Sequence, residues 1–151
     1  MLKKIILVIA IFTVLGGTYG LYLYFMPHRD VQSVKAFTTI SAGDLVAEYL
    51  KDNATANAKY LADDGDSKVI IVTGKVFSKE KDQKNQWVIV LKDDNQPVGV
   101  SCTFMANTNK NAENLQKGQN VKIKGVLRSG VDEDSEMLGE DIIIENCDVV
   151  K

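Results

Sequence analysis

The sequence predicts a mainly β domain. It reads as a closed five-stranded barrel of the OB-fold type, with one helix before it and a short helix between strands three and four. Three observations carry this. Five short runs rich in Val and Ile recur between residues 68 and 150, separated by turn-forming residues. The only helix-like stretch within the series, NKNAENLQKG at 109–118, falls between the third and fourth runs, which is the OB element order. Gly74 and Gly125 lie mid-strand, where a small barrel coils tightly and where glycine otherwise weakens a strand.

The chain begins differently. Ile5 to Phe25 carries no charge, and at 1.5 Å per residue it is long enough to cross a hydrocarbon core of roughly 30 Å. It exceeds the usual apolar region of a cleaved signal peptide, and Thr18-Tyr19-Gly20 is a poor cleavage site. Residues 1–26 are therefore read as a signal anchor forming an N-terminal transmembrane helix, 27–40 as a juxtamembrane tether, and 41–151 as helix plus barrel. The short basic tail of Lys3 and Lys4 favours the N-terminus inside. The expectation is a single-pass protein of the inner (cytoplasmic) membrane with its C-terminal domain extracytoplasmic. His28 and Arg29 would then lie at the lipid headgroups. Gly16 and Gly20 spell G-x-x-x-G, which permits close pairing of two anchors and hence a homodimer.

The elements follow in order. Ser41 is a helix N-cap with Asp44 three residues on, and Leu45, Val46, Tyr49 and Leu50 form an apolar stripe. The helix weakens through an Ala/Asn-rich stretch to Tyr60 and Leu61 and ends at Asp63-Asp64-Gly65-Asp66. The strands are read at 68–78, 86–92, 97–104, 119–129 and 140–150. In the fourth, Val121, Ile123, Gly125 and Leu127 share a face opposite Lys122 and Lys124, so one face is buried and one wet. Gly118 is placed to end the short helix.

Charge narrows the function. The chain has 18 basic and 20 acidic residues. Lys3 and Lys4 precede the apolar run and every acid follows it, so the remainder carries a net −4. Nucleic-acid binders show a basic footprint, and in bulk this domain does not.

PHRD at 27–30, ANAKYL at 56–61, VIIVTGKV at 69–76, GVSCTF at 99–104 and NCDV at 146–149 together resemble the tRNA-anti-like family of small, anchored bacterial OB-fold proteins. The similarity covers most of residues 22–150. The resemblance implies architecture more than activity, because one fold hosts many functions.

No catalytic set is legible. Gly99-Val100-Ser101-Cys102-Thr103 nearly spells a nucleophile elbow but lacks the last glycine and the strand-to-helix turn. The sole histidine, His28, is far in sequence from Ser101 and Cys102. No Cys/His pattern suits zinc, and the acidic loop VDEDSEMLGED at 131–141 lacks calcium-loop spacing. No cofactor is expected.

OB folds take single strands on strands two and three and on the loops joining strands one–two and four–five. Here strand three offers Gly99, Ser101 and Thr103 on one face, small and hydroxylic, with no ring to stack on. The four–five loop is acidic, and the one–two loop, SKEKDQKNQ, mixes three lysines with two acids. Trp87 either joins Ile89 and Leu91 in the core or presents a platform beside that face. The expected ligand is a protein or another envelope component. Single-stranded nucleic acid or oligosaccharide in the OB groove is the alternative, with nucleic acid disfavoured by charge.

The two cysteines lie on strands three and five, neighbours in an OB barrel, in a domain expected outside the cytoplasm. A Cys102–Cys147 disulfide is therefore expected. Its loop of about 45 residues would contribute roughly 4 kcal/mol in the chain-entropy model. Two buried thiols filling core volume are the other reading.

Overall fold

The computed structural model describes residues 13–22, 30–62, 67–132 and 139–150. The chain divides into two compact units, Met1–Asp30 and Val31–Lys151. In the first, residues 13–22 are helical, and Thr18 Oγ1 donates to the Val14 and Leu15 carbonyls. No helix among the described residues is long and apolar enough to cross a membrane. Most of the expected anchor lies outside those residues.

The second unit runs β1 (Thr39–Ser41), α1 (Ala42–Lys51), α2 (Asn53–Tyr60), β2 (Val69–Lys81), β3 (Trp87–Leu91), β4 (Val100–Phe104), α3 (Asn109–Ala112), β5 (Asn120–Ser129) and β6 (Ile142–Val149). The sheet order is β1-β2-β3-β4-β6-β5, and β2 also pairs with β5, closing a five-stranded barrel. Strand β2 is long enough to serve both edges. Its first half pairs antiparallel with β5 (Val69↔Val126 to Lys75↔Asn120) and its second half with β3, after an irregularity between Val76 and Ser78. Parallel β4–β6 pairing completes the wall.

Alternation explains the interior. Ile70, Val72, Val76, Ile89, Leu91, Val100, Cys102, Phe104, Ile123, Leu127, Ile142 and Ile144 are fully or almost fully buried. The α3 end of the barrel is closed by Ala112 and Leu115, and Leu45, Val46 and Tyr49 of α1 join the same core. Glycine is required at Gly125. A Cβ there would lie 2.5 Å from Ile144 Cγ2 and 2.8 Å from Cys147 Sγ.

The single helix expected before the barrel is two. Ser41 caps α1 by accepting from the Asp44 amide at 3.0 Å. At Asp52 the backbone leaves the helical region (φ −160°, ψ 89°), and its carboxylate starts α2 by accepting from the Thr55 amide and hydroxyl. A carboxylate that can cap competes with helix continuation, and here capping wins. The expected 109–118 helix shortens to α3. Gly118 serves a turn with φ +86°, and its amide donates to the Val76 carbonyl at 2.8 Å.

Residues 31–41, read as tether up to 40, are bound to the barrel. Val31 is 1% exposed and packs with Val69 and Val126. Gln32 Nε2 donates to the Asn146 carbonyl at 2.8 Å, and Lys124 Nζ donates to the Gln32 carbonyl at 2.7 Å. Phe37 N donates to the Val69 carbonyl, and β1 pairs in parallel with Ile71–Thr73.

Candidate functional site

The outer face of β3, β4 and β6 is set by register. Val88 lies opposite Thr103, Val90 opposite Ser101, and Ser101 beside Ile143. Their neighbours Ile89, Leu91, Cys102 and Ile144 point into the core, so these side chains point out. Val88, Val90, Ser101 and Thr103 are half-buried, while Ile143 is 41% exposed. The strip is apolar and hydroxylic, and it carries no ring and no cation.

An open cleft of about 430 Å³ adjoins the strip, lined by Ser101, Ser129, Gly130, Glu140, Asp141 and Ile143. Asp141 is fixed there, because its Oδ1 accepts from the Gly99 amide at 2.7 Å. Gly99 is itself buried and offers only backbone.

The structure therefore brings Ser101 and Thr103 together and leaves Trp87 out. Trp87 is in phase with Ile89 and Leu91 and packs on the core at the α3 end. Its amide donates to Asn109 Oδ1 at 2.6 Å. Lys79 Nζ lies 4.2 Å and Lys81 Nζ 4.9 Å from its ring centroid. Phe77 is covered in the same way by Lys92 and Lys117, at 4.9 and 5.0 Å. Neither ring faces the β3–β4 strip as an open platform.

The expected disulfide is corrected. Cys102 and Cys147 are free thiols, each fully buried. Strands β4 and β6 do neighbour each other, but the register shifts between them. Cys102 lies opposite Ile144, and Cys147 opposite Phe104. The shift falls at Asn146, whose φ is +55°. The two thiols are neighbours, and each also meets a carbonyl, Cys102 that of Val100 at 3.9 Å and Cys147 that of Ile144 at 3.5 Å. Burial pushes the Cys147 thiol well up, and hydrogen bonding to Cys102 adds to the shift. An inert core thiol results, not a nucleophile.

No group of three or more His, Cys, Asp or Glu side chains is placed to hold a metal among the described residues. His28 and Arg29 lie outside the described residues. Gly16 and Gly20 are on the helical segment 13–22, exposed, and a Cβ at either would meet nothing within 4 Å.

Two features had no signal in the sequence. One is the attachment of the 31–38 segment, where Val31 is the one fully buried side chain, Val34 packs partly beside it and Phe37 stands edge-on to Tyr60. The other is the meeting of the β2–β3 turn with α3. There Asn109 Nδ2 donates to the Asn85 carbonyl at 3.0 Å, and Lys79 Nζ donates to the Glu113 carbonyl.

The tRNA_anti-like family model matches residues 1–138, and the chain belongs to this family. It is a family of OB-fold binding domains, not of catalytic ones. A solved lipoprotein from Klebsiella pneumoniae subsp. pneumoniae, whose nucleic-acid binding is a conjecture, shares the fold with a TM-score of 0.55 at 20% identity. The match covers 83% of this chain and 100% of that one. The S. pombe Stn1-Ten1 complex gives a TM-score of 0.39 at 16% identity, covering 55% of this chain and 58% of that one. An Entamoeba histolytica asparaginyl-tRNA synthetase gives 0.38 at 15%, covering 55% and 20%. No curated protein matches the sequence.

Proposed function

We propose that this chain is a non-catalytic binding module. In this reading residues 5–25 anchor it in the inner membrane and the OB domain stands outside the cytoplasm. A protein or another envelope component docks on the β3–β4–β6 face. One observation carries the reading of the face. Where OB folds bind single strands, this strip presents Val88, Val90, Ser101, Thr103 and Ile143, bordered by Glu140 and Asp141. It has no stacking ring, no cation, and a border that repels phosphate.

The second reading is an OB groove for single-stranded nucleic acid or oligosaccharide. The family and the conjectured activity of the Klebsiella lipoprotein favour the first ligand. The hydroxyls of Ser101 and Ser129 beside two carboxylates favour the second. The test is retention on immobilised single-stranded DNA at physiological salt, comparing the full chain with Val90→Glu and Ser101→Asp. The proposal expects both variants to behave as the parent does. Loss of tight retention in either variant would place a nucleic-acid groove on this face.

A further inference from the structure

We infer that the partner of the β3–β4–β6 face is an extended basic segment of another protein, in which an apolar residue is flanked two positions away on each side by lysine or arginine. The inference rests on the proposed function, because it names the partner of that same face. Exposure marks the centre. Among the described residues of the second unit, only Phe37 and Ile143 are large, apolar and exposed, and Ile143 stands beside Ser101 on the strip. Gly99 keeps the ground near Val90 low. A Cβ there would lie 3.1 Å from Val90 Cγ1 and 3.0 Å from Lys92 Cβ. An apolar side chain from outside can therefore rest on Val90 and Ile143.

Register sets the charges at the two margins. On β2, Ser78 lies opposite Val90 and Glu80 opposite Val88, so the outer face continues onto an exposed carboxylate. At the other margin Glu140 and Asp141 line the cleft with Ser101 and Ile143. Asp141 accepts from a neutral amide, that of Gly99, and keeps its charge. Glu145 follows Ile143 on β6 and pairs with Arg128 at 2.9 Å. The other cation near the strip, Lys92, donates to the Pro97 carbonyl at 3.1 Å. Four carboxylates (Glu80, Glu140, Asp141, Glu145) against two cations (Lys92, Arg128) leave the face at −2. The excess has the sign of the β5–β6 connection, since residues 131–141 hold six acids and no lysine, arginine or histidine.

Charge chooses the occupant. A second copy of this chain would set one −2 face against another, and nucleic acid or an anionic bilayer would be repelled in the same way. A basic partner is attracted. From β2 across β3 and β4 to β6 is three strand spacings, so Glu80 and the cleft margin lie roughly 15 Å apart. In an extended peptide, residues i and i+4 are about 13 Å apart and point to one side, with i+2 between them. Basic residues at i and i+4 then reach the two acidic margins, and an apolar residue at i+2 falls on Val90 and Ile143.

The test titrates the full chain, in zwitterionic micelles, with the end-blocked peptide Ser-Thr-Arg-Thr-Val-Thr-Arg-Thr-Ser, following amide shifts and affinity at low and physiological salt. Saturable shifts are expected at Val90, Ser101 and Ile143, with affinity that falls as salt rises. The same peptide with Glu in place of both Arg is expected not to bind. E80Q/E140Q should lose roughly five- to tenfold in affinity at low salt, and I143S several-fold. E113K changes the net charge by the same +2 at the α3 end, and should bind as the parent does. No binding by the parent, equal binding of the Glu peptide, shifts centred elsewhere, or equal loss in E113K overturns the inference. If E80Q/E140Q fails to fold, E140Q replaces it, with about half the loss in log affinity expected.

A further arm fixes the class of cation. Spermine that displaces the Arg peptide at similar affinity would make the ligand a polyamine and overturn the protein segment. Failure here is distinguishable from failure of the proposed function. A basic peptide that does not bind leaves the single-stranded DNA retention of Val90→Glu and Ser101→Asp as it was. Retention lost in those variants sinks the proposed function whatever the peptide does.

Discussion

Gly125 shows how one absent methyl group shapes this barrel. Its Cα leaves room for Ile144, Cys147 Sγ and the Glu145 carbonyl, the last 2.9 Å from where a Cβ would stand. A backbone carbonyl cannot rotate away, so Gly125→Ala should cost about 1–3 kcal/mol in urea denaturation, the range for overpacked cores. Gly139→Ala has open space but φ +69°, and should cost about 1–2 kcal/mol through the left-handed backbone alone. Tyr49 is the opposite case. It is 1% exposed and its ring packs where Gly130 lacks a side chain, and its hydroxyl finds no hydrogen-bond partner among the described residues. Tyr49→Phe removes an unsatisfied buried group and should stabilise by about 1 kcal/mol.

Burial raises the Tyr49 hydroxyl to about 12, and it also raises the Cys147 thiol. Both groups are held protonated in the folded state, so the unfolded state loses its protons first. From neutral pH to about pH 8.5 these two groups should leave stability flat, and above it stability should fall, first through the cysteine and then, from about pH 10 to 12, through the tyrosine. Denaturation midpoints across that range check this, and Tyr49→Phe should flatten the second part of the decline.

Among the elements, the barrel strands were readable and the N-terminal attachment was not, for a physical reason. The five strands bury one face each, so Val/Ile alternation marks them in the sequence, as in Val121, Ile123 and Leu127 of β5. The 31–38 segment fully buries only Val31, with Val34 packed partly beside it and Phe37 edge-on to Tyr60, and otherwise uses backbone and amide hydrogen bonds, which leave no trace in the sequence. The break at Asp52 was obscured because the apolar spacing continues through it to Tyr60. The site was readable in part. Ser101 and Thr103 were placed on one face by alternation, but the position of Cys147 turned on a register shift at Asn146, a residue type that tolerates positive φ but that strand alternation passes over. Val31→Asp should release the segment without unfolding the barrel. Hydrogen exchange should quicken at the Phe37 and Ile71 amides, which bond within this attachment, and stay slow at the Ile89 amide.

At the scale of the molecule, a net charge of −4 for everything after the apolar run averages two unlike ends. Glu140 and Asp141 border the 430 Å³ cleft, while Lys79 and Lys81 lie over the Trp87 ring at the α3 end. The fully buried native thiols make topology straightforward to read. A single exposed cysteine at Lys84→Cys should be labelled on intact cells by a membrane-impermeant maleimide, while the parent stays unlabelled. Labelling of Lys84→Cys only after cell lysis would place the domain inside.

The central claim is that the β3–β4–β6 face is a binding surface not built for single strands. Residue-resolved amide shifts of the full chain, titrated with a single-stranded oligonucleotide at physiological salt, test it most directly. The amides of Val88, Val90, Ser101, Thr103 and Ile143 are expected to stay in place. Saturable shifts centred on those five amides would contradict it.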